Sequence, residues 1–283
     1  MITCNLKGGL GNQLFQIFTL ISHSIRNSKS FIFPYSEYIP GHDTKRTSYW
    51  DSFLTHLKKY TTGNGRFEDI KHVNELLLLK HPIYKEKSFN YNPIENNIDN
   101  MLFDGYFQSY KYFDEYKDKL FKLVDLKYNK IKIRSEHFNY LDTHKLASMH
   151  FRIGDYKNIQ QFHPVLSETY YHNALLEIPD DYKVIVFCEE QDKETVNQLI
   201  DNFRSKHTHN FVIIDHSIPD WKQMLIMSMC NINVIANSTF SWWGAYFNEN
   251  DDKKIIYPSV WFGNEIKNNT DDLFLPDWIK IDA

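Results

Sequence analysis

A chain of 283 residues with 42% hydrophobic residues can bury a sizeable core, which excludes a disordered polypeptide and suits either two modest domains or one large one. Its formal net charge of -4, with acidic and basic residues interspersed, excludes the basic field that holds a nucleic-acid backbone by counterion release. The most apolar short run, 76–79, is bounded by Glu75 and Lys80 and falls far short of the roughly 20 residues a membrane helix needs.

Residues 2–6 read as a strand, 8–11 as a tight turn, and 13–26 as a helix carrying Leu14, Ile17, Phe18, Ile21 and Ile25 at helical spacing. The opening shows no basic flank, apolar h-region or cleavage site, so a soluble, cytoplasmic protein is expected. The three cysteines, Cys4, Cys188 and Cys230, lack zinc-site or disulfide spacing, which fits a reducing compartment. A second strand is expected at 31–34. Residues 41–99 mix turn signals with short helical patterns at 52–60 and 73–79; a strand follows at 101–107 and a helix at 110–124.

From residue 146 onward the alternation becomes regular. Strands are expected at 148–151, 184–187, 211–214, 233–236 and 254–257, separated by helices at 168–177, 193–203, 221–229 and 240–247. Strands alternating with helices of this length predict a parallel sheet covered on both faces. The charged stretch 128–141 gives way to the strand near 148, which places a domain boundary near residue 143.

Three constellations carry chemistry. In the first, Gly8-Gly9-Leu10-Gly11-Asn12-Gln13, glycines permit a sharp turn and close approach to a ligand, and the following helix offers backbone N–H groups to an anion. As a dinucleotide fingerprint it fails, because the third glycine is replaced by Leu14. Packing between strand and helix would explain glycines, but the amides of Asn12 and Gln13 suit sugar or phosphate oxygens. The second, His150-Phe151-Arg152-Ile153-Gly154-Asp155-Tyr156, ends a strand, and alternation sends His150 and Arg152 to one side. Arg152 suits a diphosphate, or pairs with Asp155 to fix the loop, or does both with Asp155 orienting it. In the third, Asn237-Ser238-Thr239-Phe240-Ser241 opens a helix, so its hydroxyls are helix caps or phosphate ligands. Trp242 and Trp243 are expected to pack beneath it.

GGLGNQLFQIF near the N-terminus, GYFQSYKYF at 105–113, HFRIGDY at 150–156 and ANSTFSWWGAY at 236–246 resemble, in order and spacing, the motifs of the alpha-1,2-fucosyltransferase family, glycosyltransferase family 11. The resemblance implies an α/β protein of GT-B type, with two Rossmann-like domains facing each other across a cleft. Residues 1–143 would form the acceptor-side domain and 144–283 the nucleotide-sugar domain. It implies inverting, metal-independent transfer of fucose from GDP-fucose to a glycan hydroxyl, with alpha-1,2 linkage to galactose, and no cofactor. The partners are then a nucleotide sugar and a glycan acceptor.

By the same resemblance His150 contacts the nucleotide, Arg152 the diphosphate, and Ser238, Thr239 and Phe240 the phosphate side of the donor. Asn12 reaches the donor phosphate and fucose from across the cleft, and Gly9, Gly11 and Asn237 complete the donor-binding set. The family usually has two consecutive arginines in the second motif; here the second is Ile153, which alternation turns to the opposite face. Arg152 and Asp155 are the expected catalytic residues. Candidates for the base are Asp155, His42, Asp43 and His163, unless a donor phosphate oxygen takes the proton. Transfer of another GDP-sugar is the nearest alternative. A binding protein that has lost transfer is a further one, set against the retention of Asn12, His150, Arg152 and Ser238. A nicotinamide-dependent epimerase is disfavoured by Leu14 and by the Phe33-Pro34-Tyr35 ending of the second strand.

Overall fold

The computed structural model describes residues 1–39, 46–64, 82–95, 100–142 and 145–283. Its contacts divide the chain into two compact units, Met1–Lys127 with Asn268–Leu275, and Tyr128–Lys267 with Pro276–Ala283.

In the first unit the buried segment Ile-Thr-Cys forms β1 (Ile2–Cys4) and leads through the glycine turn into α1 (Leu10–Asn27). The apolar face of α1 is buried, and Phe15 and Phe18 meet Phe113 at ring-centroid distances of 5.8 and 5.9 Å. A short antiparallel pair, β2 (Tyr38–Ile39) and β3 (Arg46–Thr47), lies apart from the main sheet. β4 (Ile83–Lys85) and β5 (Met101–Asp104) join β1 in a parallel sheet of order β1-β5-β4.

The second strand expected at 31–34 is reduced to single parallel bridges, Ile2 with Phe31 and Phe33 with Thr61; Pro34 has no N–H to continue a ladder. The helix expected at 110–124 is broken into 3₁₀ turns at Tyr110–Tyr112 and Asp114–Tyr116 before α2 (Lys117–Leu123). The break is at Phe113, whose φ of -140° is not helical and whose ring is fully buried against α1. Core packing overrides helical continuation there. The segment 52–60 yields a 3₁₀ helix at Thr55–Tyr60. The helical pattern at 73–79, with His42 and Asp43, lies outside the described residues.

In the second unit α3 (Leu126–Glu136) precedes a fully parallel six-stranded sheet. Its elements are β6 (Leu146–His150), α4 (Glu168–Leu175), β7 (Lys183–Phe187), α5 (Lys193–Arg204), β8 (Asn210–Ile213), α6 (Asp220–Met227), β9 (Ile232–Val234), α7 (Thr239–Tyr246), β10 (Lys254–Pro258) and β11 (Ile279–Ile281). Strand order is β11-β10-β9-β6-β7-β8. The chain therefore runs outward from β6 through β7 and β8, crosses back, and runs outward the other way from β9. That is a doubly wound sheet with its topological switch point between β6 and β9, where ligands bind outside the strand carboxyl ends. A buried amide network fixes this seam: Asn233 Nδ2 donates to Ser148 Oγ and to the Met227 carbonyl, each at 2.7 Å, and Asn233 Oδ1 accepts from Asn248 Nδ2 at 2.8 Å.

Packing divides the chain inside α3, between Lys127 and Tyr128. α3 is tied to the second unit by Lys130, which donates to the Phe247 carbonyl and pairs with Glu249, and by Glu136, which pairs with Lys222. No helix of the described residues is long and apolar enough to cross a membrane.

Candidate functional site

The sequence around β6 explains how a charged loop is held at the switch point. β6 is wholly buried, and Phe151 N–H extends its ladder to the Phe187 carbonyl at 2.8 Å. The next outward residue is Arg152. Its Nη2 lies 2.5 Å from Asp155 Oδ1, its Nη1 pairs with Glu189 Oε1, and its guanidinium carbon sits 4.9 Å from the centroid of Tyr156. Arg152 is 17% exposed, against 54% for Asp155 and 40% for Glu189, so the cation is set deeper than the carboxylates that orient it. Gly154 makes this possible. A Cβ there would lie 2.6 Å from Glu189 Oε2, and its N–H donates to the buried Asp192 at 2.6 Å. Lys157 balances Asp192 at 3.0 Å.

His150 is buried and its Nδ1 has no hydrogen-bond partner. Burial, with the Arg152 charge adding to it, pushes the imidazole from its usual 6.5 down to about 3, so it is neutral at physiological pH. Its ring lies 5.6 Å from that of Phe240, which brings the second and third motifs together. Ile153, by contrast, is 5% exposed and belongs to the apolar core, so it faces away from Arg152.

In the third motif, Ser238 is the N-cap of α7 and its Oγ accepts from Phe240 N–H at 3.3 Å. Ser241 Oγ closes the turn by accepting from Ala236 N–H at 3.2 Å. Asn237 is buried; its Nδ2 donates to the carbonyls of Pro164 and Trp261, at 2.9 and 3.4 Å, and its Oδ1 has no partner. Thr239 and Phe240 are partly exposed at the helix start. Trp242 and Trp243 are fully buried beneath it.

Two tyrosines of α4, unsuspected from sequence, hold the strand ends: Tyr170 OH donates to the Ile235 carbonyl at 2.6 Å and Tyr171 OH to that of His150 at 3.1 Å. Burial raises both phenols far above their usual range, so they stay protonated donors. Glu189 was missed as well; the signal was an acidic residue two positions after β7, the buried strand that neighbours β6. Among the base candidates, Asp155 is committed to Arg152. His163 stacks on Tyr156 at 5.0 Å, and burial lowers its pKa, with opposing smaller contributions from Asp155 and Arg152.

In the first unit the sharp turn is at Gly8, with φ +76°, rather than at Gly9, which is extended at φ -77°. A Cβ on Gly8 would lie 2.5 Å from Asn12 Nδ2, while one on Gly9 would meet nothing within 4 Å. Gly11 is buried in the first turn of α1. Gln13 is fully buried, and its Nε2 donates to the Gly8 and Thr47 carbonyls at 3.0 and 2.8 Å, bracing the turn, while its Oε1 has no hydrogen-bond partner. Asn12 Oδ1 accepts from Gln108 Nε2 at 3.0 Å.

Two Rossmann-like α/β units, one presenting a preorganised arginine, a neutral buried imidazole and a capped helix start at its switch point, define a glycosyltransferase of the GT-B type. Along the whole chain the homology agrees: the family model described as Glycosyl transferase family 11 matches residues 1–282. The chain belongs to that family. It is 28% identical to the O-antigen biosynthesis glycosyltransferase WbnK of Escherichia coli, over 99% of this chain and 100% of that one. It is 25% identical to an alpha-1,2-colitosyltransferase of Escherichia coli, over 100% of this chain and 99% of that one. Among solved structures, the E. coli ADP-heptose lipopolysaccharide heptosyltransferase II superposes with a TM-score of 0.53 at 10% identity, covering 99% of this chain and 89% of that one, a likeness of fold.

Proposed function

We propose that the enzyme transfers fucose from GDP-fucose to a hydroxyl of a glycan acceptor, with inversion at the anomeric carbon and alpha-1,2 linkage to galactose. The observation that carries this reading is the convergence at the switch point of Arg152, oriented by Asp155 and Glu189, with two of the buried polar atoms that lack a partner, His150 Nδ1 and Asn237 Oδ1. Buried polar atoms are ordinarily satisfied, and a hydroxyl-rich nucleotide sugar supplies partners. In the proposed reaction the acceptor oxygen forms its bond to the anomeric carbon as the bond to the β-phosphate oxygen breaks. Arg152, the Thr239 hydroxyl and the N-terminus of α7 take up the charge growing on GDP. Asp155 orients Arg152 through the ion pair between its Oδ1 and the guanidinium Nη2. The acceptor proton goes to His163 or to a donor phosphate oxygen. The open side of Gly9 suits close approach of the donor, and Asn12 contacts it.

A second reading keeps the reaction and changes the sugar. Where the family usually has a second arginine this chain has the buried Ile153, and a relative is named for transfer of colitose, a fucose lacking its 3-hydroxyl. The test is turnover of GDP-fucose, GDP-colitose and GDP-mannose with galactose-terminated glycans, in excess EDTA. Transfer of fucose in EDTA, with inverted configuration in the product, is expected. Turnover only with colitose establishes the second reading, and loss of activity in EDTA with recovery in manganese overturns the metal-independent mechanism.

A further inference from the structure

The carboxyl ends of β1, β5 and β4 bring Asn12, Gln108 and Glu86 to one edge of the first unit. Glu86 directly follows β4, and its N–H donates to the Asp104 carbonyl at 2.9 Å. Its carboxylate turns back on the loop after β5: Oε2 accepts from Tyr106 N–H at 2.7 Å and Oε1 from Phe107 N–H at 2.9 Å. Gly105 is required beneath it, because a Cβ there would lie 2.4 Å from Glu86 Cβ.

The clamp holds a costly conformation. Phe107 has φ +53°, in the left-handed region that non-glycine residues avoid. Its ring is buried between Phe103 at 5.7 Å and Tyr112 at 5.6 Å. The residue after this bend is Gln108, 9% exposed, whose amide donates to Asn12 Oδ1. From the other side Gly8 leaves room for Asn12 that no side chain would allow. A carboxylate is suited to this role because both oxygens accept, so two adjacent N–H groups are satisfied by one side chain.

We propose that Glu86 is a positioning residue for glycosyl transfer: it fixes the 105–108 bend, the bend aims Gln108, and Gln108 holds Asn12 in its working orientation. This rests on the proposed contact of Asn12 with the donor.

The experiment is a double-mutant cycle in steady-state kinetics with the nucleotide sugar that turns over, using Glu86→Ala, Gln108→Ala, Asn12→Ala and the double variant Glu86→Ala/Asn12→Ala. Each single variant is expected to lose about 10- to 100-fold in kcat, the scale of displacing a positioned group. In the Asn12→Ala background, removing Glu86 should cost less than about twofold more, because coupled residues are non-additive. A purely structural Glu86 instead lowers activity by the same factor in both backgrounds, and that result overturns the proposal. Parental activity in Asn12→Ala shows that the reading of Asn12 itself is wrong. A crippled Asn12→Ala beside near-parental Glu86→Ala and Gln108→Ala overturns this inference alone. If Glu86→Ala does not fold, Glu86→Gln, which retains one acceptor, runs the same cycle: coupling to Asn12 supports the proposal and additivity overturns it.

Discussion

Arg152 is held by Asp155 and Glu189 on its two terminal nitrogens while its face lies over Tyr156. A planar fork can satisfy both carboxylates and still present an N–H edge to a diphosphate; an ammonium has neither the shape nor the number of directed donors. Arg152→Lys is therefore expected to lose about 100- to 1000-fold in both kcat and kcat/KM, the cost of removing one preorganised donor to a developing anion. Ile153→Val, deep in the core, should stay within a few-fold of parent in kcat and melt slightly lower. Steady-state kinetics and thermal melts of the two variants check the assignment; a nearly active Arg152→Lys beside a folded but crippled Ile153→Val reverses the two faces of the strand. His150 makes a separate prediction about pH. Its folded pKa of about 3 lies below the 6.5 of an unperturbed imidazole. Between those values the unfolded chain binds a proton that the folded chain refuses, so stability is fully present above about 6.5 and lost as pH falls, at up to about 1.4 kcal/mol per pH unit. The Tm of the parent should fall more steeply from pH 6.5 to 4.5 than that of His150→Asn; parallel curves would show that His150 is not buried as a neutral base.

At the scale of elements, the hydroxyls at the start of α7 differ in exposure. Ser238 caps the helix and Ser241 closes the turn behind it, whereas Thr239 is partly exposed. Ser238→Ala should lower stability by about 0.5 to 2 kcal/mol, the worth of an N-cap, and leave GDP affinity of the folded protein nearly unchanged. Thr239→Ala should weaken GDP binding of the folded protein. Calorimetric titration and melts of the two single variants test this division, and a loss of affinity in Ser238→Ala without loss of stability contradicts it. The elements of the second unit were legible because strands buried on both faces, such as Val184 to Phe187, read as continuous apolar runs. β11 was not, because only a partner strand defines a three-residue segment whose central residue is the exposed Lys280. β4, with exposed Ile83 and Lys85, escaped for the same reason. At the site, the motif residues were legible by type, but the partners that aim them were not: Glu189 reaches Arg152, Gln108 reaches Asn12 and Tyr171 reaches His150 across distances in sequence that no local pattern encodes.

The whole molecule is not two consecutive halves. After the second sheet is nearly complete, residues Asn268–Leu275 return to the first unit and Pro276–Ala283 rejoin the second. Asp272 secures the return by accepting from Tyr91 N–H at 3.0 Å and pairing with Lys111, and Leu273 is fully buried. β11 then pairs in parallel with β10, Ile279 opposite Ile256. Each unit thus has its own sheet and core, and a ligand bound at the β6–β9 switch point should stabilise chiefly the unit that contains it. GDP at about 100 times its Kd adds about 2.7 kcal/mol to the state that binds it. Hydrogen exchange with and without GDP is the measurement. Amides of β6, β7 and β9, whose exchange follows opening of the second unit, are expected to slow by roughly 100-fold, while those of β1 and β5 should change little. Slowing confined to β1 and β5 would place the nucleotide on the first unit and remove Arg152 from the leaving group. Equal slowing of both sheets would mean that the units open together and share one stability, as the returning segment 268–275 would enforce if its contacts in the first unit outlast the core of the second.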